Sequence, residues 1–201
     1  CEFDSAKAVS DAGAEPEIIV IKNLTSSAIQ SSVEEFATKL KTAQMVFIPG
    51  GFSGGDEPDG SGKFITAFFR NAAVKEGVTD LLENRDGLMC GICNGFPALI
   101  KLGLVIDTDE NCPTLTFNTI ARHQSKIVRT RIASNKSPWL SLTDVGEVYN
   151  VPISHGEGRF LASEELIRKL AENGQIATQY VDLSGNATND VQFNPNDSMF
   201  A

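Results

Sequence analysis

The stretch GLMCGICNGF (87–96) holds two cysteines, Cys90 and Cys93, spaced C-x-x-C at the end of an apolar run and just before a helical pattern. Three chemistries use such a spacing: a redox pair, a pair of metal ligands, or one nucleophile beside a bystander. The surrounding residues favour the nucleophile. Gly91-Ile92-Cys93-Asn94-Gly95 is a G-x-C-x-G, the cysteine form of the strand-to-helix turn that exposes a nucleophile. Side chains two residues before and after Cys93 would collide in so sharp a turn, so glycine is wanted at both places. The turn puts the thiol at a helix start, where the dipole and free N–H groups favour the thiolate. The N–H of Asn94 can then point at the oxyanion formed when Cys93 attacks a carbonyl.

The competing chemistries fit less well. A redox pair needs both thiols near the helix start, whereas Cys90 falls inside the predicted strand. The Trp and Pro usual in thioredoxin-like C-x-x-C segments are absent. No second C-x-x-C and no His pair stands at zinc-ligand spacing, so no metal is expected. Cys90 reads as a small buried apolar residue, and Cys112 before Pro113 as loop or core. Cys1 could be an N-terminal nucleophile, but CEFD leads into an ordinary helix start.

Two other segments could complete a site. FIPGGFSGGDE (47–57) is a strand ending in Pro-Gly-Gly, which offers backbone N–H groups at a strand tip. The N–H of Gly51 is the candidate second oxyanion donor. SHGEGRF (154–160) sets His155, Glu157 and Arg159 among glycines, again just after a strand. His123, in ARHQSK, reads as a surface histidine.

Strands and helices must position these loops. EIIVIKN (17–23), MVFIPGG (45–51), GLMCGI (87–92), SKIVRTRI (125–132), EVYNVPIS (147–154) and IATQYV (176–181) read as strands. DSAKAVSDAG (4–13) reads as a helix capped by Asp4 and ended by Gly13. SSVEEFATKLKTA (31–43) reads as another, with capping boxes Ser31/Glu34 and Ser32/Glu35. FITAFFRNAAVKEGV, TDLLENR, FPALIKLGL (96–104) and SEELIRKLAENG (163–174) are also helical. The alternation predicts an α/β fold, with a parallel or mixed sheet covered on both faces. Function in such folds sits at the carboxyl ends of the strands, which fits loops 50–62, 93–95 and 155–160. The Asn- and Asp-rich tail from Asp182 reads as a loop or the approach to a further strand.

Composition narrows the setting. The 201 residues are 41% hydrophobic, enough for one sizeable core in a single domain spanning 1–201. A net charge of −9 disfavours nucleic acid and anionic membranes as partners. No apolar run approaches the ~20 residues of a membrane helix. Four cysteines are too few for a disulfide scaffold, which suggests a reducing, cytoplasmic setting. The chain starts at Cys1 and stops after NPNDSMFA, so the expectation is of a domain trimmed at both ends.

PGGFSGGDEPDGSGK, GICNGFPALIKLGL, RTRIASNKSPWL and SHGEGRF together resemble the glutaminase domain of phosphoribosylformylglycinamidine synthase, a class I (triad) glutamine amidotransferase. The resemblance covers nearly the whole chain. It implies a flavodoxin-like three-layer sandwich with a mostly parallel central sheet. It implies Cys93 as the nucleophile that forms a γ-glutamyl thioester, with Gly51 and Asn94 at the oxyanion hole. Gly50, Phe52, Ser53, His155, Gly156 and Glu157 match positions around the glutamine. Ammonia would pass to a synthetase domain or subunit that uses ATP and Mg2+, and the glutaminase domain itself would need no cofactor. The family's triad His-x-Glu lies near the domain's C-terminus, and HGEGRF matches a different loop, so His155 is not the triad histidine. Pro97 stands where the family commonly has a glutamine-binding Gln. Two other readings share these residues: a non-catalytic amidotransferase-like docking domain, and a cysteine amidohydrolase of the same superfold acting on another amide.

Overall fold

A computed structural model describes residues 1–51, 62–106, 113–196 and 198. The chain is mixed α/β and divides into two compact units, Cys1–Thr108 and Asp109–Ala201. Among the described residues, no helix is long and apolar enough to cross a membrane.

In the first unit, helix α1 spans Glu2–Asp11. Asp4 lies in its first turn instead of capping it, and Gly13 ends it as expected. Gly13 N–H donates to Ser10 O at 2.9 Å and Ala14 N–H to Val9 O at 3.1 Å, the paired closure that a left-handed residue permits. Helix α2 spans Ser26–Leu40 and starts a turn earlier than its sequence suggested. Its cap is Thr25, whose hydroxyl accepts from Ala28 N–H at 3.1 Å. Ser32, expected as a cap, lies inside the helix. Its hydroxyl donates to Ala28 O at 3.0 Å and accepts from Lys22 N–H at 2.9 Å.

Strands β1 (Met45–Ile48) and β2 (Leu88–Gly91) pair in parallel, with Phe47 opposite Cys90 and Ile48 opposite Gly91. Helices α3 (Lys63–Phe69) and α4 (Ala72–Thr79) divide one helical pattern at Asn71, whose side chain accepts from Ala73 N–H at 3.0 Å and restarts the helix. A π-type turn follows over Asp80–Asn84, and helix α5 spans Gly95–Lys101. Val46 and Ile48 face a core of Val33, Leu40, Phe69, Val74, Val78, Leu81 and Leu99. Phe36, Phe68 and Phe69 meet edge to face around it, with ring centroids 5.3 to 5.7 Å apart. Arg85 ties the π-type turn to the end of α2, donating to Asp80 Oδ2 at 2.7 Å, Ala43 O at 2.7 Å and Leu40 O at 2.6 Å.

In the second unit, β4 (Gln124–Ile132) lies between β5 (Val148–His155) and β7 (Thr178–Tyr180), antiparallel to both. β3 (Thr114–Thr116) pairs antiparallel with β6 (Arg159–Leu161). Helix α6 (Glu164–Glu172) is capped by Ser163, which accepts from Leu166 N–H at 3.2 Å. The tail is more ordered than its composition suggested. Asp182 Oδ1 accepts from Ser184 and Asn186 N–H, and Asn194, Pro195, Asn196 and Ser198 are buried.

Two expectations about the strands are not met among the described residues. The run 17–23 forms no strand, because a strand exists only through ladder partners, and none lies beside it among the described residues. The mostly parallel central sheet is not found either. β1–β2 is the one parallel ladder among the described residues, and the other pairings are antiparallel. β4 and β5 are joined by a short excursion through Ala133–Glu147 with no crossover helix, and without such a crossover neighbouring strands return antiparallel.

Leu81 is fully buried in the π-type turn, where it packs with α4 and β2. Leu81→Ala should cost about 2–5 kcal/mol, read as a lower urea midpoint at an unchanged slope.

Candidate active site

Cys93 sits on the connection between β2 and α5, exposed, with φ +53. A left-handed backbone at a non-glycine residue is strained and must be enforced by its neighbours. Ile92 N–H extends the ladder, donating to Ile48 O at 3.0 Å. The chain then reverses at once: Gly95 N–H reaches Ile92 O at 2.9 Å and Phe96 N–H reaches Cys93 O at 3.0 Å. The two flanking glycines have a steric cause. A Cβ on Gly91 would stand 2.6 Å from Gly95 O, and one on Gly95 would stand 2.6 Å from Ile48 O. Both obstacles are backbone, which cannot yield.

Gly50 lies directly against the thiol. A Cβ there would stand 2.6 Å from Cys93 Cβ and 3.3 Å from Sγ. The structure thus brings Gly50 and Cys93 together, with Gly51 and Asn94 next to them in the chain. Asn94 is 6% exposed at the start of α5. Pro97 is buried in the first turn of α5, where a missing N–H leaves no helical bond unmade. Phe52 and Ser53 lie outside the described residues, as does Cys112.

The cysteines are chemically distinct. Cys90 is half-buried within β2, and desolvation pushes its thiol up from the ordinary value. Cys93 is exposed, and Cys1, Cys90 and Cys93 are all free thiols. Cys90 thus lies within the strand and Cys93 on the turn that follows it.

His155, Gly156 and Glu157 belong to the second unit, at the end of β5 and in the turn to β6. His155 and Glu157 have His-x-Glu spacing, but Nδ1 of His155 meets Asn118 Oδ1 at 2.9 Å. Burial, and secondarily repulsion from His123, lower the His155 pKa from its ordinary value and so favour the neutral ring. His123 Nε2 lies 3.0 Å from Ser154 Oγ. Gly156 O accepts from Asn118 N–H at 2.9 Å. Asn118 has no distinguishing sequence signal: it stands in FNTIARH, an unremarkable turn-like segment, and only its burial reveals it.

An exposed, strained cysteine thus stands at a parallel strand's carboxyl end, cornered by glycines. The chain belongs to the CobB/CobQ-like glutamine amidotransferase domain family, whose model matches residues 1–201. Within that class it belongs with the PurQ subunits of phosphoribosylformylglycinamidine synthase. It is 33% identical over 201 residues to PurQ of Methanococcus maripaludis, spanning 98% of this chain and 68% of that protein. It is 31% identical over 199 residues to PurQ of Methanocaldococcus jannaschii, spanning 99% and 74%. A chain in the structure of PurLQS from Thermotoga maritima shares the fold, with a TM-score of 0.63 at 23% identity, over 90% of this chain and 69% of that one.

Two predictions follow from the elbow. Gly95→Ala should drive a methyl into the Ile48 carbonyl and cost about 1–3 kcal/mol, lowering the urea midpoint. In the folded protein at mildly alkaline pH, iodoacetamide should modify Cys93 well before Cys90, and denaturation should equalise them. Peptide mapping against time reads this, and faster modification of Cys90 would contradict it.

Proposed function

We propose that this chain is the glutaminase part of phosphoribosylformylglycinamidine synthase, with Cys93 as its nucleophile. The carrying observation is the Cys93 turn, exposed and held at φ +53 in a chain of the glutamine amidotransferase family. Cys93 Sγ attacks the side-chain amide carbon of glutamine. A C–S bond forms, and the carbonyl oxygen takes up the negative charge. The backbone N–H groups of Gly51 and Asn94 are the proposed donors to that oxyanion. Collapse breaks the C–N bond, and the protonated nitrogen leaves as ammonia. Water then hydrolyses the thioester, releasing glutamate and restoring the thiol. The proton transfers call for a general acid/base, which the family resemblance assigns to its His-x-Glu pair and not to His155.

Gly50, Phe52, Ser53, His155, Gly156 and Glu157 are the proposed glutamine-binding positions. Gly50 supports this by lying against the thiol, leaving no side chain where the amide must approach. The ammonia would pass to a synthetase domain or subunit of the same enzyme. That part would bind ATP and Mg2+ and convert formylglycinamide ribonucleotide to the amidine. The flavodoxin-like sandwich belongs to this proposal and rests on the parallel β1–β2 pair with helices packed on it. A cytoplasmic location is supported by the free thiols.

A diazoketone analogue of glutamine tests the assignment. It should alkylate Cys93 stoichiometrically, glutamine should protect, and Cys93→Ala should abolish the adduct. An adduct on Cys1 or Cys90 with Cys93 untouched would overturn the nucleophile. A folded protein with no modified cysteine would instead favour the docking role.

A further inference from the structure

The turn after β5 is held by one side chain. Asn118 is 2% exposed and uses its whole hydrogen-bonding capacity on this turn and its own loop. Its Nδ2 donates to His155 O at 2.8 Å and to Arg122 O at 3.1 Å. Its Oδ1 accepts from Gly158 N–H at 3.1 Å and faces His155 Nδ1 at 2.9 Å. Its own N–H donates to Gly156 O at 2.9 Å. Asn196, also buried, donates from Nδ2 to Gly158 O on the same turn.

An Asn amide can ordinarily be turned end for end, but this one cannot. His155 O and Arg122 O can only accept, so Nδ2 must face them. Gly158 N–H can only donate, so Oδ1 must face it. The backbone thereby fixes the amide independently of the histidine. With Oδ1 directed at Nδ1, the ring makes that hydrogen bond only by donating, so the Nδ1 carries the proton. In a neutral ring Nε2 is then a bare acceptor. Nε2 is buried and has no hydrogen-bond partner among the described residues. The ring is also pressed against Gly158, where any Cβ would strike it.

We infer that Asn118 is a positioning residue that locks His155 in the Nδ1–H tautomer and fixes the His155–Gly158 turn, leaving Nε2 as a hydrogen-bond acceptor reserved for an N–H or O–H donor. This rests on the reading above that the turn belongs to the glutamine site, because glutamine, with its ammonium and amide groups, is a ligand rich in N–H donors. Asn118 acts through His155 and not on substrate.

The tautomer can be measured directly. The chain has two histidines, so His123→Gln assigns the signals of His155 in a 15N-labelled sample. At pH 7.5 the His155 ring should show a pyrrole-type Nδ1 and a pyridine-type Nε2. Asn118→Ala should shift the ring towards the Nε2–H form. Asn118→Asp, which keeps an acceptor facing Nδ1, should retain the Nδ1–H form. Glutamine protection of Cys93 against the diazoketone should weaken about tenfold in Asn118→Ala. A His155 protonated on Nε2 in the unaltered protein would overturn the inference whether or not any variant folds. So would an unchanged tautomer in folded Asn118→Ala. A tautomer that changes as expected while glutamine protection stays constant would uphold the role of Asn118 and remove the turn from the glutamine site.

Discussion

The first unit depends on how closely the turn after β2 lies against the end of β1. Ile48 accepts the last ladder bond, from Ile92, and presents the same carbonyl to Gly95. The space left at Gly95 and Gly91 is smaller than a methyl group. That closeness starts α5 immediately after the strand and leaves Cys93 no ordinary backbone conformation. The strain at one residue is therefore borne by two glycines and a parallel strand pair. The core of Val33, Leu40, Phe69, Val74, Val78, Leu81 and Leu99 holds that pair from one face. Burying these side chains, at roughly 1.5–3 kcal/mol each, is the source of free energy that makes a φ of +53 tolerable.

The second unit solves a similar problem by hydrogen bonding. The turn from β5 to β6 carries His155 and two glycines, a sequence with little intrinsic preference for one shape. A buried amide supplies the constraint. Because a half-satisfied buried network costs more than none, the turn holds its form only while Asn118 is in register with it. The antiparallel ladder β4–β5 brings Gln124 opposite His155 and sets the start of that turn.

Much of the elbow was legible in the sequence. G-x-C-x-G between a strand and a helix specifies its own geometry, since only glycine fits beside so tight a reversal. Gly13 was equally readable as a helix end, because capping depends on one or two neighbouring residues. Readings that depended on partners fared worse. The run 17–23 has strong strand composition yet makes no strand, since a ladder needs a neighbour that local composition cannot supply. Ser32 had the look of a cap and became an interior residue, because Thr25 captured the helix start first. The Asn- and Asp-rich tail read as a loop or the approach to a further strand, and the structure buries Asn194 and Asn196 in it where backbone groups accept their amides.

The sequence by itself determined the glycine-flanked turn at Cys93 and the family, because these rest on residues adjacent in the chain. The tertiary structure alone decided that β1 and β2 are the parallel pair, that Gly50 lies against the thiol, and that Asn118, 37 residues before His155, governs its ring. A close approach or a hydrogen bond between distant residues is set by the packing of whole elements, and no local pattern of residues encodes that distance.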